Sequence, residues 1–98
     1  MKLVNINDVK ESKALLLVND LLKVYYLEFQ KDEELPHHSL NGVGVLQVLE
    51  GHVTIEFDTG DKFDLTKGCL LEFKSSILHT VKAWEHSKVL LTNASYSN

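Results

Sequence analysis

Short apolar segments alternate with turn residues along this chain, at the spacing of roughly eight to twelve residues that is typical of all-β sandwiches and barrels. Apart from one helical turn expected near residues 7–13, no amphipathic helix interrupts the pattern. Eight strands in a chain of this length must form a small closed or two-sheet barrel, because open sheet edges invite aggregation. The segments that we interpret as strands are Ala14–Val18, Leu21–Gln30, Val43–Leu49, His52–Phe57, Lys62–Leu65, Cys69–Phe73, Leu78–Trp84 and Lys88–Asn93.

One of these segments, His52–Phe57, has the clean alternation of a half-buried strand. Val53, Ile55 and Phe57 fall on the inward face, and the residues between them face outward. Residues 32–42 differ, because acids, Pro, Asn and Gly replace the apolar pattern there. We therefore predict a loop over residues 32–42.

Length and composition limit the domain number and the partners. The 98 residues have room for one hydrophobic core, so we predict a single domain. With 44% hydrophobic residues, no apolar stretch of membrane-spanning length and no signal-peptide pattern, we expect a cytoplasmic protein without a membrane partner. The net charge is −4 and every basic residue is Lys, so we do not expect a nucleic-acid partner. Cys69 is the single cysteine, which excludes an internal disulfide.

Two segments together resemble the cupin superfamily of small β-barrels. The first contains the turn Val48-Leu49-Glu50-Gly51, which is similar to the end of the first cupin motif. In the second, Gly68 and His79 have the spacing of the second motif, although Lys74, Ser76 and Ala83 replace its Pro, Gly and Asn. The resemblance covers roughly residues 20–93 and implies an all-β double-stranded β-helix, or jelly-roll barrel.

The resemblance also implies a metal centre, which is eroded in this chain. Cupins supply two His and one Glu from the first motif and one His from the second. The Glu position falls at Gly44, and the first His falls at His37 or His38. The second His falls at Ser39 or Leu40. The implied ligand set is therefore reduced to His79 and one of His37 and His38, with a slight preference for His38, and it would hold a divalent Zn, Ni, Mn or Fe ion only weakly.

Each of these histidines has a structural alternative. His79 shares a strand face with Val81 and Ala83, so it is either a ligand in the barrel or a hydrogen-bonded interior residue. If the segment around Pro36 is extended, His37 and His38 point to opposite faces, and only one can enter the barrel. Both can equally be solvated loop residues. The remaining histidines, His52 and His86, are predicted to lie on the surface.

Three functions are compatible with this sequence. The first is a non-catalytic small-molecule-binding or regulatory barrel with His79 as its polar anchor. The second is a metal-dependent dioxygenase or isomerase acting on a small carbonyl or sugar compound, whose third ligand would come from the other loop His or from an acid. The third is a structural module with a filled barrel. The expected apolar lining is Val45, Val48, Ile55, Phe73, Val81 and Leu90, and the candidate acids are Glu33, Glu34 and Glu72.

Several strands are apolar on both faces, notably residues 15–18 and 43–46. A strand that is apolar on both faces must be covered on both, and no helix is predicted to cover the outer one. A second copy of the chain would provide that cover, and two-fold dimers are the commonest assembly. We therefore expect a homodimer, which is also the usual assembly of the proteins that this chain resembles.

Overall fold

The computed structural model describes residues 1–95, and for residues 36–38 it describes the backbone only. Within that range a single 3₁₀ turn, Ile6–Asp8, precedes nine β-strands. The helical turn thus begins and ends earlier in the chain than predicted. The strands are β1 (Lys13–Val18), β2 (Leu22–Phe29), β3 (Glu34–His38), β4 (Val43–Glu50), β5 (His52–Phe57), β6 (Lys62–Thr66), β7 (Leu70–Lys74), β8 (His79–Ala83) and β9 (Ser87–Ala94).

The strands form two antiparallel sheets, which confirms the all-β jelly-roll prediction. The five-stranded sheet has the order β1-β2-β9-β4-β7, and the four-stranded sheet has the order β3-β8-β5-β6. Side chains alternate along each strand, so one face of each sheet contributes to a common core. Fully buried members of that core include Phe29, Ile55 and Val89. Within residues 1–95 no helix has the length and apolar character needed to cross a membrane.

All eight predicted strands are present, but the predicted loop contains a ninth. Residues 34–38 form β3 and pair with β8, with Leu35 opposite Val81 and His38 opposite His79. In its sheet β3 lies at an edge, where proline is tolerated because only one side of the strand needs hydrogen bonds. The loop prediction was therefore wrong for residues 34–38.

The turn between β4 and β5 requires its glycine. Gly51 has a φ of +95°, in the left-handed region that favours glycine. A Cβ atom at this position would lie 2.2 Å from Ser87 Oγ and 2.5 Å from the carbonyl oxygen of His86. The turn that carries the first part of the family resemblance is therefore fixed both by backbone conformation and by close packing against the start of β9.

Two residues expected inside the barrel face outward instead. In β4 the alternately buried residues are Gly44, Leu46 and Val48, so Val45 lies on the outer face of the five-stranded sheet. In β9, Leu90 likewise faces outward, and Leu91 is inward. The continuous apolar run of β4 contains no alternation from which its inward face could be predicted. The other four predicted lining residues belong to the core or pack against it.

Candidate functional site: the barrel interior

His79 lies inside the barrel at the start of β8, with only 2% of its surface exposed. Its ring packs against two phenylalanines, with centroids 5.5 Å from Phe57 and 5.0 Å from Phe73. The Phe73 contact is edge-on, at an interplanar angle of 71°. Such edge-to-face geometry is favourable for aromatic rings. His79 is therefore an interior residue held in an aromatic cluster, as its strand face predicted.

One hydrogen bond fixes the orientation of the His79 ring. Its Nδ1 atom lies 2.7 Å from the carbonyl oxygen of Ile77. A carbonyl oxygen only accepts, so Nδ1 carries a proton and donates it to this bond. Metal-binding histidines are oriented by the same kind of bond, and so are purely structural ones. This bond therefore orients the ring in the same way for a ligand role and for a structural role.

The ring of Phe73 occupies the position where a residue 44 side chain would begin. Gly44 and Phe73 are direct partners across the β4–β7 pair. A Cβ atom at residue 44 would lie 2.6 Å from Phe73 Cζ, 2.7 Å from its Cε2 and 3.0 Å from Ser75 Oγ. Ordinary carbon contacts are about 3.5–4.0 Å. The place that the resemblance assigns to a ligating Glu therefore has neither a side chain nor, with this ring orientation, the space for one.

The candidate acids do not enter the barrel. Glu72 is exposed and opposite Val45 on the outer face of the five-stranded sheet. Glu33 is exposed, and its carboxylate accepts a hydrogen bond of 2.8 Å from the Gln30 amide. Glu34 is exposed and lies opposite Lys82 in the backbone register of β3 and β8. None of the three joins His79, so no carboxylate of this set completes a facial triad.

The backbone of His38 is paired with His79, so the two histidines are neighbours in the four-stranded sheet. The side chains of His37 and His38 lie outside the described part of the structure, and the choice between them as a ligand stays a prediction. Among the residues with described side chains, no three His, Cys, Asp or Glu residues are grouped to hold a metal ion. The described residues therefore do not fit the complete cupin metal centre.

An apolar cavity of about 220 Å³ opens beside the core. Its position is defined by the register, since Leu35 is paired with Val81 in β8 and Leu91 with Tyr25 in β2. The residues that line it are Tyr25, Leu27, Leu35, Leu40 and Leu91. None of these five residues belongs to the lining that we predicted from the sequence, and Leu35 and Leu40 fall in the segment that we interpreted as a loop. The cavity can accept a small apolar molecule.

Two buried polar residues, Ser75 and Asn93, lie close to this cavity. They are 2% and 4% exposed, and Ser75 Oγ donates a hydrogen bond to Asn93 Oδ1. The amide of Asn93 donates in turn to the carbonyl oxygen of Asn41, at 2.9 Å. Sequence reasoning missed this pair, although Asn93 continues the inward alternation of Val89 and Leu91. A polar residue at an inward position of an otherwise apolar strand was the signal from which Asn93 could have been identified.

A separate series of hydrogen-bonded polar side chains lies on the outer face of the four-stranded sheet. Trp84 Nε1 donates to Thr54 Oγ1 at 2.7 Å, and the Thr54 hydroxyl donates to Asp64. His52 Nε2 lies 3.5 Å from the same carboxylate. The hydrogen bond from Thr54, followed by the influence of His52 and Lys62, lowers the pKa of Asp64 below its ordinary value. Trp84, Thr54 and Asp64 are thus hydrogen-bonded to one another, whereas the buried His52 Nε2 only approaches Asp64 and makes no hydrogen bond.

Two sheets closed over one core, with strand order β1-β2-β9-β4-β7 and β3-β8-β5-β6, define a double-stranded β-helix barrel. Solved structures agree with that class. An RmlC-like cupin protein from Desulfovibrio desulfuricans is 27% identical, with 96% of each chain covered and a TM-score of 0.83. A cupin superfamily protein from Desulfitobacterium hafniense is 20% identical, with 86% of this chain and 76% of that chain covered and a TM-score of 0.80.

A third structure, an RmlC-like cupin family protein with a double-stranded β-helix fold from Methanocaldococcus jannaschii, has a TM-score of 0.82 at 12% identity, with 97% and 91% of the two chains covered. The chain therefore has the fold of a small cupin domain and is similar to these proteins. No family model matches the sequence, and no curated protein matches it.

Proposed function

We propose that this cupin domain is a non-catalytic barrel that binds a small apolar molecule. The observation that carries the proposal is the ring of Phe73 lying over Gly44. A catalytic metal needs enough ligands to fix its geometry, and a facial triad combines two His with one carboxylate. Here the carboxylate position is glycine, its space is occupied by an aromatic ring, and the candidate acids face outward.

The class of ligand follows from the cavity. Its lining consists of one tyrosine and four leucines, and its volume is about 220 Å³. An apolar protein cavity of about 150 Å³ is large enough for benzene. The preferred ligand is therefore apolar and about the size of a single substituted ring. His79 is not among the residues that line this cavity, so its role as a polar anchor of the ligand stays a prediction.

The experiment uses benzene and phenol as probes of the purified chain, with thermal unfolding and amide chemical shifts as readouts. A free probe at a hundred times its dissociation constant stabilises the fold by about 2.7 kcal/mol. We expect such stabilisation, with the largest shift changes at Tyr25, Leu27 and Leu91. Leu35→Trp should fill the cavity and abolish binding, whereas Leu70→Trp adds the same ring at a residue that is 65% exposed and should not.

Binding by Leu35→Trp as tight as by the unmodified chain would reject this cavity as the site. Absence of stabilisation by any probe, and by a broad library of small organic metabolites, would reject the function itself. Circular dichroism of both tryptophan variants establishes that each is folded before the binding results are compared.

The alternative function is a metal-dependent enzyme of the dioxygenase or isomerase type. The observations in its favour are the hydrogen bond that orients the His79 ring and the pairing of His38 beside it. Metal analysis of the purified protein separates the two functions. One equivalent of Fe, Mn, Ni or Zn, lost in His79→Ala, would favour the enzyme. Our proposal predicts metal well below one equivalent.

A further inference from the structure

The segment of residues 39–42, which we name the mouth loop, forms one wall of the apolar cavity. It contributes Leu40 to the lining. The Leu40 amide donates to the carbonyl oxygen of Ser75 at 2.8 Å, and the Ser75 amide donates to the carbonyl oxygen of Gly42 at 3.0 Å. The mouth loop is thus attached to the end of β7, and Leu40 has a defined position over the cavity.

A third attachment comes from side chains. Asn93 Nδ2 donates to the carbonyl oxygen of Asn41, next to Leu40 in the chain, and Asn93 Oδ1 accepts from the Ser75 hydroxyl. Ser75 therefore contacts the mouth loop through its backbone and supports Asn93 through its side chain. We name Ser75 and Asn93 the clamp.

Both clamp residues are polar and yet buried in the barrel. A polar side chain in an apolar interior stabilises the fold only when it is fully hydrogen-bonded, and a leucine at either position would avoid that requirement. Within the described contacts, the clamp residues bond to each other and to the mouth loop. These bonds therefore attach the mouth loop to β9 and to the end of β7.

We propose that Leu40 is the specificity-determining residue of the cavity and that Asn93 is a positioning residue that acts through it. This inference rests on the proposed function, because it concerns the size of the ligand in the same cavity. Leu40 closes the wall against larger rings, and the clamp keeps its side chain in place. A cavity whose wall is fixed in this way discriminates ligands by size.

The test compares two probes, benzene and naphthalene, which differ by one fused ring. The unmodified chain should bind benzene and bind naphthalene much more weakly. A single methylene group in an apolar pocket changes discrimination by about 10–200-fold. Leu40→Ala removes several carbon atoms from the wall, so the ratio of naphthalene to benzene affinity should rise at least about tenfold.

The positioning role of Asn93 has its own readout. Asn93→Ala should raise the same affinity ratio in the unmodified background but leave it unchanged in the Leu40→Ala background, because Asn93 acts through Leu40. It should also accelerate hydrogen exchange of the Leu40 amide by about 2- to 10-fold, the effect of one lost hydrogen bond. Thr92→Ala is the control, since Thr92 is a neighbour on the opposite face of β9.

The outcomes separate the two proposals. Benzene binding with an unchanged affinity ratio in Leu40→Ala and Asn93→Ala would overturn the inference and leave the proposed function standing. A shift in Asn93→Ala that persists unchanged in the double variant would show that Asn93 does not act through Leu40. If no probe binds the unmodified chain, the proposed function fails and the size-selection inference fails with it. An unaltered exchange rate of the Leu40 amide in Asn93→Ala overturns the clamp independently of any ligand.

Discussion

Replacement of Gly44 by alanine tests the close approach of Phe73 directly. The new Cβ atom would lie 2.6 Å from Phe73 Cζ, about 1 Å inside a normal carbon contact. The backbone of Gly44 is not in the left-handed region, since the four glycines with positive φ are at other positions. Any destabilisation of Gly44→Ala therefore comes from packing and not from backbone strain.

The expected magnitude follows from the surroundings of the ring. Overpacking of a well-packed core costs about 1–3 kcal/mol. Phe73 is only half-buried, so its ring can relieve part of the overlap by moving, but Phe57 at 5.4 Å and His79 at 5.0 Å restrict that movement. We expect a loss of about 1–2 kcal/mol, the lower part of the overpacking range. In a domain of this size, each kcal/mol lowers Tm by about 4–8 °C.

The assay is urea unfolding, followed by the fluorescence of Trp84 and by circular dichroism, for Gly44→Ala, Phe73→Ala and the double variant. Because removal of the ring removes the clash, the double variant should be more stable than the two separate losses predict, by about 0.5–3 kcal/mol. Leu70→Ala, on the outer face of β7, should instead be additive with Gly44→Ala. A Gly44→Ala variant within about 0.5 kcal/mol of the unmodified chain, the range of neutral substitutions, would refute the packing argument.

Two further predictions concern the turn glycine and the outer face of the four-stranded sheet. Gly51 and Gly60 both have a φ near +95°, but of the two only Gly51 has atoms within 4 Å of the position of a new Cβ. Gly51→Ala should therefore lose more stability in urea unfolding than Gly60→Ala. Equal losses would contradict this. The lowered pKa of Asp64 stabilises the fold above the ordinary carboxyl pKa, and that contribution is lost as the pH falls through the folded value. The thermal stability of Asp64→Asn should therefore depend less on pH between about 5 and 2 than that of the unmodified chain; identical pH profiles would contradict this.

The periodic apolar pattern predicted eight strands correctly because each apolar segment is bounded by turn residues. It failed for β3, where the acids and Pro36 are typical of a loop, since pairing with β8 alone holds this edge strand. It also failed for the inward face of β4. The run Val43–Leu49 is apolar at nearly every position, so its orientation depends on the register with β9 and cannot be obtained from local sequence.

The candidate site, like the fold, could be predicted from the sequence only in part. The inward direction of His79 follows from strand periodicity, and the missing carboxylate follows from the identity of residue 44. The ring over Gly44 could not be predicted, because residue 73 is 29 positions away and becomes a neighbour only through the β4–β7 register. The clamp has the same origin, since Ser75 and Asn93 lie on separate strands or their ends and meet only in the folded barrel.

The remaining prediction is a homodimer that forms through the outer face of the five-stranded sheet. Val24, Val43, Val45 and Leu90 lie on this face and are only half-buried in the single chain, and Leu70 at its edge is 65% exposed. A second copy would remove this surface from water, and a specific interface should bury more than about 1,000 Å² in total.

We expect light scattering at micromolar concentration to give twice the chain mass of 11.1 kDa. Leu90→Lys should shift the protein to monomer, because the residues directly opposite it on this face, Tyr26 and Gln47, offer no carboxylate to an ammonium group that the interface would bury. Thr80→Lys, on the outer face of the opposite sheet, adds the same charge and should leave the dimer intact. A monomeric mass for the unmodified chain would mean that these apolar side chains, which lie beside Lys74, Glu72 and Gln47 on the same face, are tolerated in water. The argument from a sheet that is apolar on both faces would then be wrong.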